Sequence, residues 1–258
     1  MVEDLDLYIL TYNDKVHQID DNYKVIQCGK AISDINSDFI GDDTGDNISY
    51  KNEYYVETTG IYWIWKNTKS KYVGNMQYRR YLSINPLYIK NILSNGYDII
   101  LPNPVTVNEY SLEFLYDVNH NINDILEIKK IISEKFPEYT NSYDKYIKNG
   151  HTLFYSNSFV TSRKIYDDLC NFCFSILFDF EKRFNLSNRE DRLRHAKEAL
   201  NRYFQFKEVS HPGEDHVLYQ SRVCGYLFER LLTLYIFHNK LNVYICGDYI
   251  KMEENMKI

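Results

Sequence analysis

Nine consecutive residues, Gly41-Asp42-Asp43-Thr44-Gly45-Asp46-Asn47-Ile48-Ser49, concentrate two glycines, three carboxylates and several hydrogen-bonding side chains. Glycine lets a backbone approach a ligand closely. Carboxylates accept hydrogen bonds from base or ribose groups, or coordinate a hard cation. A solvated turn has the same composition. An EF-hand register from Asp42 to Glu53 fails, because Asn47 falls where that loop needs glycine and Ile48 and Tyr50 interrupt its polar positions.

A second group, Gln77-Tyr78-Arg79-Arg80-Tyr81, directly follows an apolar run. Guanidinium forks match phosphate oxygens, and at the exit of a strand they face the ligand edge of an α/β sheet. A fixed cation there would stabilise a departing diphosphate as its charge grows. A surface pair of arginines is the bland alternative. Tyr62, Trp63 and Trp65, with Glu57 upstream, form an aromatic helix face of the kind that is usually core. His151, His120 and the run from His211 to His216 supply possible acids, bases or metal ligands, although a histidine near a strand start is more often a structural hydrogen-bonder. Glu229 stands in an otherwise apolar helix, so it is paired, on the wet face, or held in a cleft as a base.

The elements that must position these groups alternate between strand and helix. Leu5 to Thr11 reads as a first strand opening into a polar loop, and Val25 to Cys28 as a second. Tyr54 to Asn67 has helical spacing, Tyr72 to Met76 reads as a core strand, and a helix after Pro86 ends at Gly96 before the strand YDIILP. Asp124 to Phe136 is an amphipathic helix, His151 to Val160 is strand-like, and Lys164 to Phe184 is a long apolar helix. A basic stretch over about 188–207 reads as an inserted helix; Arg222 to Phe237 is a final helix and LNVYICG a last strand.

The chain has 258 residues, with 44% hydrophobic and 26% charged residues, enough for one sizeable α/β domain with a buried core. Its 25 Tyr and 14 Phe suit stacking on bases and packing on sugar rings. A formal net charge of -6 argues against nucleic acid as a partner, since phosphate neutralisation needs a basic surface. No segment approaches the roughly 20 apolar residues of a membrane span, and MVEDLDLYIL lacks a basic leader, so a soluble or peripheral protein is expected. Five cysteines are too few and too scattered for a disulfide framework and read as free thiols in a reducing compartment. Cys170 and Cys173 form a CxxC inside an apolar helix with no second pair to complete a zinc site.

Taken in order, VxxCGKAI, IGDDTGDNISxKNxxYxExTGxYWxWKN, YVG followed by YRRYL, PEYxxxYDK, GHxxFxxNxFV and RVxGYLxERLL resemble bacterial capsule and exopolysaccharide glycosyltransferases, whose members include galactofuranosyltransferases. The resemblance implies an α/β, GT-A-like single domain. A Rossmann-related nucleotide-sugar-binding half, about 1–105, would join a helical acceptor-binding half, about 106–258, that carries the inserted helix. It also implies transfer of a hexose, galactose or galactofuranose, from a UDP-sugar to a cell-surface polysaccharide or lipid-linked oligosaccharide. The expected setting is cytoplasmic, at the inner face of the cell membrane, with the basic helix either a peripheral membrane contact near a lipid-linked acceptor or simply an extra packing helix.

On that resemblance Thr11, Tyr12, Gln27, Asp42, Asp43, Gly45, Asp46 and Asn47 become nucleotide-side candidates, and Tyr78, Arg79 and Arg80 diphosphate-side candidates. The family usually has histidine where this chain has Gln77. A usual GT-A enzyme carries Asp-x-Asp where this chain reads QYRRY, and Asp4-Leu5-Asp6 lies on the wrong side of the sheet. Either the arginines replace a metal, or Mn²⁺ or Mg²⁺ is held elsewhere, by Asp43, Asp46 or His151. For inverting transfer Asp215, in Gly213-Glu214-Asp215, is the first candidate base and Glu229 the second, with His151 a further catalytic candidate. The rival reading is a non-catalytic sugar- or nucleotide-binding subunit of a polysaccharide assembly complex. A nucleotide-sugar epimerase is disfavoured by the lack of a GxGxxG after the first strand.

Overall fold

The computed structural model describes residues 2–14, 16, 21–207 and 214–251. Its strands are β1 (Leu5–Thr11), β2 (Tyr23–Gln27), β3 (Ile40–Gly41), β4 (Tyr72–Gln77), β5 (Arg80–Tyr81), β6 (Ile99–Leu101), β7 (Val105–Thr106), β8 (Thr152–Leu153), β9 (Phe159–Ser162), β10 (Val243–Ile245) and β11 (Ile250–Lys251). Its α-helices are α1 (Asn52–Tyr55), α2 (Thr58–Asn67), α3 (Pro86–Ser94), α4 (Leu112–Asn119), α5 (Ile122–Lys135), α6 (Thr140–Tyr143), α7 (Arg163–Phe184), α8 (Arg189–Lys207), α9 (Glu214–Ser221) and α10 (Val223–His238).

The main sheet runs β10-β6-β9-β4-β1-β2-β3, with β5 and β11 attached beside β4. Along that path only β9 is antiparallel to its neighbours. Strand β1 is buried along its length except at Asp6, the apolar run required of a parallel strand covered on both faces. Alternation then sorts its side chains: Tyr8 and Leu10 join the large core with α2, α7 and α10, while Leu7 and Ile9 join a smaller core with Ile89 and Leu93 of α3. The sheet takes β9 and β10 from beyond residue 105, so strands from both parts of the chain share one core. The α/β, GT-A-like architecture expected from the sequence is the one observed: a mostly parallel sheet flanked by helices. Among the described residues no helix is long and apolar enough to cross a membrane.

Three local expectations change. The helix expected over 54–67 breaks at Val56, whose φ of 46° is rare for a β-branched residue. Helix α10 packs against that break so closely that a Cβ on Gly225 would lie 2.3 Å from Cγ2 of Val56. The strand-like segment 151–160 is two short strands separated by a turn in which Ser156 and Asn157 have φ of 63° and 51°. Helix α8 is where the basic stretch predicts it, but its charges do not all face outward. Arg192 is buried against Glu53 and the Leu186 carbonyl, and His195 Nε2 lies 2.6 Å from Asp124 Oδ1 on α5. Among the described side chains, its exposed residues mix Arg189, Arg194 and Lys197 with Glu190 and Glu198. Helices α4, α6 and α9 and the short strands β3, β5, β7 and β11 have no counterpart among the elements expected from the sequence.

Candidate active site

Because β1, β2, β3 and β4 run parallel, the loops that follow them leave from one edge of the sheet. The Thr11 carbonyl receives the Cys28 N–H at 2.7 Å, and the Leu10 carbonyl receives that of Tyr78 at 3.0 Å, which ties three of these exits together. Thr11 is buried, whereas Tyr12 just beyond it is 52% exposed. The Tyr12 ring meets the edge of Tyr78 at 5.5 Å, and the Tyr78 hydroxyl donates to that of Tyr12 at 3.2 Å. The Arg79 guanidinium lies 4.9 Å from the Tyr78 ring centroid, and the residue is exposed. A flat aromatic pair and a cation therefore stand side by side at this edge, features suited to a base and a phosphate.

The acidic loop after β3 is folded on itself. Asp42 is fully buried and accepts from the backbone N–H groups of Gly29 and Lys30, at 2.9 and 3.0 Å, and from the Ser49 hydroxyl. Gln27 is equally buried and binds Ser33, Ile35, Ser37 and Lys30, fixing the segment after β2. Asn47 donates to the carbonyls of Asp43 and Gly45. Gly45 has φ of +58°, and a Cβ there would fall 2.1 Å from Oδ1 of Asn67 on α2. The aromatic helix serves both core and loop. Trp65 stacks on Phe174 at 5.8 Å, Tyr62 packs on Phe174 while its hydroxyl donates to Asp46, and Trp63 Nε1 donates to Thr44. Of the loop's acids, Asp42 is consumed in shaping it and Asp46 holds Tyr62, while Asp43 stays exposed.

A charged cluster lies beside the end of β4. Gln77 donates through Nε2 to Oε1 of Glu57 at 3.0 Å and accepts through Oε1 from Nη1 of Arg80 at 3.2 Å. Asn157 donates to the same Glu57 oxygen at 2.9 Å. Next to it, Oε1 of Glu229 accepts the Ser156 N–H at 2.6 Å, and its Oε2 pairs with Arg230 at 2.8 Å. Burial pushes the Glu229 carboxyl above the ordinary glutamate value and the Glu57 charge adds to the rise, against Arg230, the Ser156 N–H and Arg80. Its side chain nevertheless keeps 17% exposure. The Arg80 guanidinium stands 5.6 Å from the Tyr155 ring, and β11 pairs with β5, so the C-terminal part of the chain holds Arg80 in place.

The structure therefore gathers Tyr12, Tyr78, Arg79, Arg80 and Glu229 around one edge, with Thr11, Gln27 and Asp42 beneath it as scaffold. His151 is apart from this group: its Nδ1 lies 2.8 Å from the Tyr110 carbonyl and 3.0 Å from that of Val107. Asp215 belongs to α9, but its side chain lies outside the described residues, as do His211 to Gly213. His120 is buried, bonded to Gln220 at 3.0 Å and stacked on Tyr226; burial, then Arg230, lowers its pKa to about 3, so it is neutral. Among the described residues no three of His, Cys, Asp and Glu are grouped to hold a metal ion, so Asp43, Asp46 and His151 do not assemble into one. Cys170 and Cys173 are free and buried on α7, each thiol pushed up by burial.

Gln77 and Glu57 stand in the sequence-based groups without an assigned role, and Ser156 and Asn157 stand in none. The signal available was slight: a Ser-Asn-Ser interrupting a strand-like run, and a carboxylate just before the aromatic helix.

Over 96% of its length the chain superimposes on the solved apo structure of the WbbM bifunctional glycosyltransferase, with a TM-score of 0.73 and 25% sequence identity, and it spans 45% of that chain. No curated protein matches the sequence. Residues 6–206 match the family model described as a domain of unknown function, DUF4422, and the chain belongs to that family.

Proposed function

We propose that the protein is an inverting glycosyltransferase that moves a hexose, galactose or galactofuranose, from a UDP-sugar to a cell-surface polysaccharide or lipid-linked oligosaccharide at the cytoplasmic face of the membrane. The observation that carries this reading is the cluster beside the end of β4, where the Gln77 amide joins Arg80 to Glu57 and the nearby Glu229 carboxylate keeps 17% exposure, at the sheet edge where nucleotides bind in α/β folds. The likeness to a solved glycosyltransferase supports it.

In the proposed step the acceptor hydroxyl oxygen attacks the anomeric carbon from the face opposite the leaving group. The bond from that carbon to the diphosphate oxygen breaks, and its electron pair leaves with the diphosphate. Arg79 and Arg80 stabilise the charge that grows there, a kind of contribution worth about 2.7–4 kcal/mol when one such donor is removed. Glu229 takes the acceptor proton; its raised pKa makes it a stronger base than an exposed glutamate. The exposed ring of Tyr12, braced by Tyr78, is the platform for the base.

Thermal-shift measurements with UDP, GDP, CMP and TDP, each with and without Mn²⁺, followed by transfer assays with UDP-hexoses, test the reading. Selective stabilisation by UDP and release of UDP on addition of acceptor are expected. A chain stabilised by UDP-sugar that never releases UDP would be a binding subunit instead, and a chain indifferent to every nucleotide would sink the proposal. Stabilisation that depends on Mn²⁺ would place the diphosphate charge on a cation rather than on the arginines.

A further inference from the structure

Glu57 is tethered at one oxygen only. Its Oε1 receives two amide donors, Nε2 of Gln77 and Nδ2 of Asn157, while its Oε2 takes no hydrogen bond among the described residues. The side chain is half-buried, so that second oxygen is not sealed away. Leaving a carboxylate oxygen unpaired in partly desolvated surroundings is costly, and two amides hold the carboxylate by its other oxygen. The residue itself follows directly on the strained Val56, at a break in the helical run that brings Glu57 to the sheet edge. Strain of that kind persists where the surroundings enforce it, and it clusters at ligand sites.

The neighbours of Glu57 indicate which part of a substrate it meets. One amide, that of Gln77, contacts both Glu57 and Arg80. Because guanidinium has no acceptor and carboxylate has no donor, the amide orientation is dictated: oxygen toward Arg80, nitrogen toward Glu57. The anion-binding cation and the open carboxylate oxygen are thus held a single amide group apart. In a nucleotide sugar the ring hydroxyls stand at similar close range from the phosphate.

We propose that Oε2 of Glu57 receives one ring hydroxyl of the transferred sugar, making Glu57 a specificity-determining residue, with Gln77 and Asn157 as its positioning residues. The inference rests on the glycosyltransferase reading. In it, Glu57 selects the sugar while Glu229 takes the acceptor proton.

The test uses the full chain with a UDP-hexose that it transfers, and a set of analogues each lacking one ring hydroxyl. Wild type is expected to discriminate against one analogue by about 10²-fold in kcat/KM, the size of effect that follows from losing one hydrogen bond to a charged group. In Glu57→Ala that discrimination falls below about threefold, discrimination at the other hydroxyls is unchanged, and UDP still raises the melting temperature. A structural role for Glu57 would lower every rate together. Should the alanine variant fail to fold, Glu57→Gln keeps an oxygen for the two amides and is expected to lose at least tenfold of the same discrimination. Full discrimination at every hydroxyl in the variants overturns the inference but leaves the transferase reading intact. A wild-type chain that transfers no sugar overturns both.

Discussion

The backbone N–H of Ser156 meets Oε1 of Glu229 at 2.6 Å, joining the left-handed turn before β9 to the middle of α10. One carboxylate thereby anchors a turn and still keeps 17% exposure. Glu229→Gln retains an acceptor for Ser156 but loses the base, so transfer should fall by about 10²- to 10⁴-fold with little change in melting temperature. Glu229→Ala also strands a buried N–H and should cost about 1–3 kcal/mol of stability. In wild type the base works deprotonated, so the rate should drop as pH falls through its pKa, at a value raised above the ordinary 4.5. Steady-state rates against pH, with melting curves for both variants, decide this; unaltered turnover in Glu229→Gln would remove Glu229 from the chemistry.

Arg80 is fixed from three sides, by Gln77, by the ring of Tyr155 and by the pairing of β5 with β11. Arg80→Ala should abolish the thermal stabilisation by UDP while the unliganded melting temperature changes by only a few degrees. Arg80→Lys should restore charge but only part of the affinity, since a bidentate fork is replaced by a point charge. Equal UDP stabilisation in all three chains would contradict a diphosphate role.

Gly45 supplies a left-handed backbone where no side chain fits, with Asn67 against it. Gly45→Ala combines positive-φ strain with a clash and should destabilise the chain by about 1–2 kcal/mol. Because Asn67 also binds the N–H and carbonyl of Asp46, the loop should loosen as well. Amide hydrogen exchange over residues 41–49 reads this directly; protection equal to wild type would count against a rigid, preformed loop.

His195 and Asp124 link α8 to α5 in a buried pair, with Tyr116 donating to the other oxygen of Asp124. Burial raises the Asp124 carboxyl despite His195 and Tyr116. Burial alone would lower the His195 imidazole, yet Asp124 and Glu198 lift it above 6.5, with Arg194 opposing. Both shifts mean that the folded chain binds protons more readily than the unfolded one, so stability falls as pH rises. The His195 contribution is complete below about pH 6.5 and is lost as pH climbs through its raised folded value. Melting temperatures between about pH 6 and 8 should therefore decline, and Asp124→Asn should flatten the decline. A wild-type melting temperature that rises over this range would refute the coupling.

Much of the frame could be read from residue order alone. The apolar run Leu5–Thr11, the strand ending at Gln77 and the long helix ending at Phe184 are local patterns, and local patterns survive without knowledge of neighbours. The buried fate of Cys170 and Cys173 was legible for the same reason. So was the extent of α8, although which of its charges point inward was settled by Glu53 and Asp124 on other elements.

What residue order could not reveal were the two places where the chain departs from its own local preference. Val56 breaks a helical run where Gly225 of α10 packs against it, and the turn at Ser156 and Asn157 interrupts a strand-like run where Glu229 holds its N–H. Those two departures bring Glu57 and Asn157 to the end of β4. The amino-acid sequence by itself determined the main strands of the sheet, most of its flanking helices and the residue types at the edge where β1 to β4 end. Only tertiary packing decided which carboxylates meet there, because the contacts that enforce them cross from 68 to 169 positions in the chain and leave no local period to read.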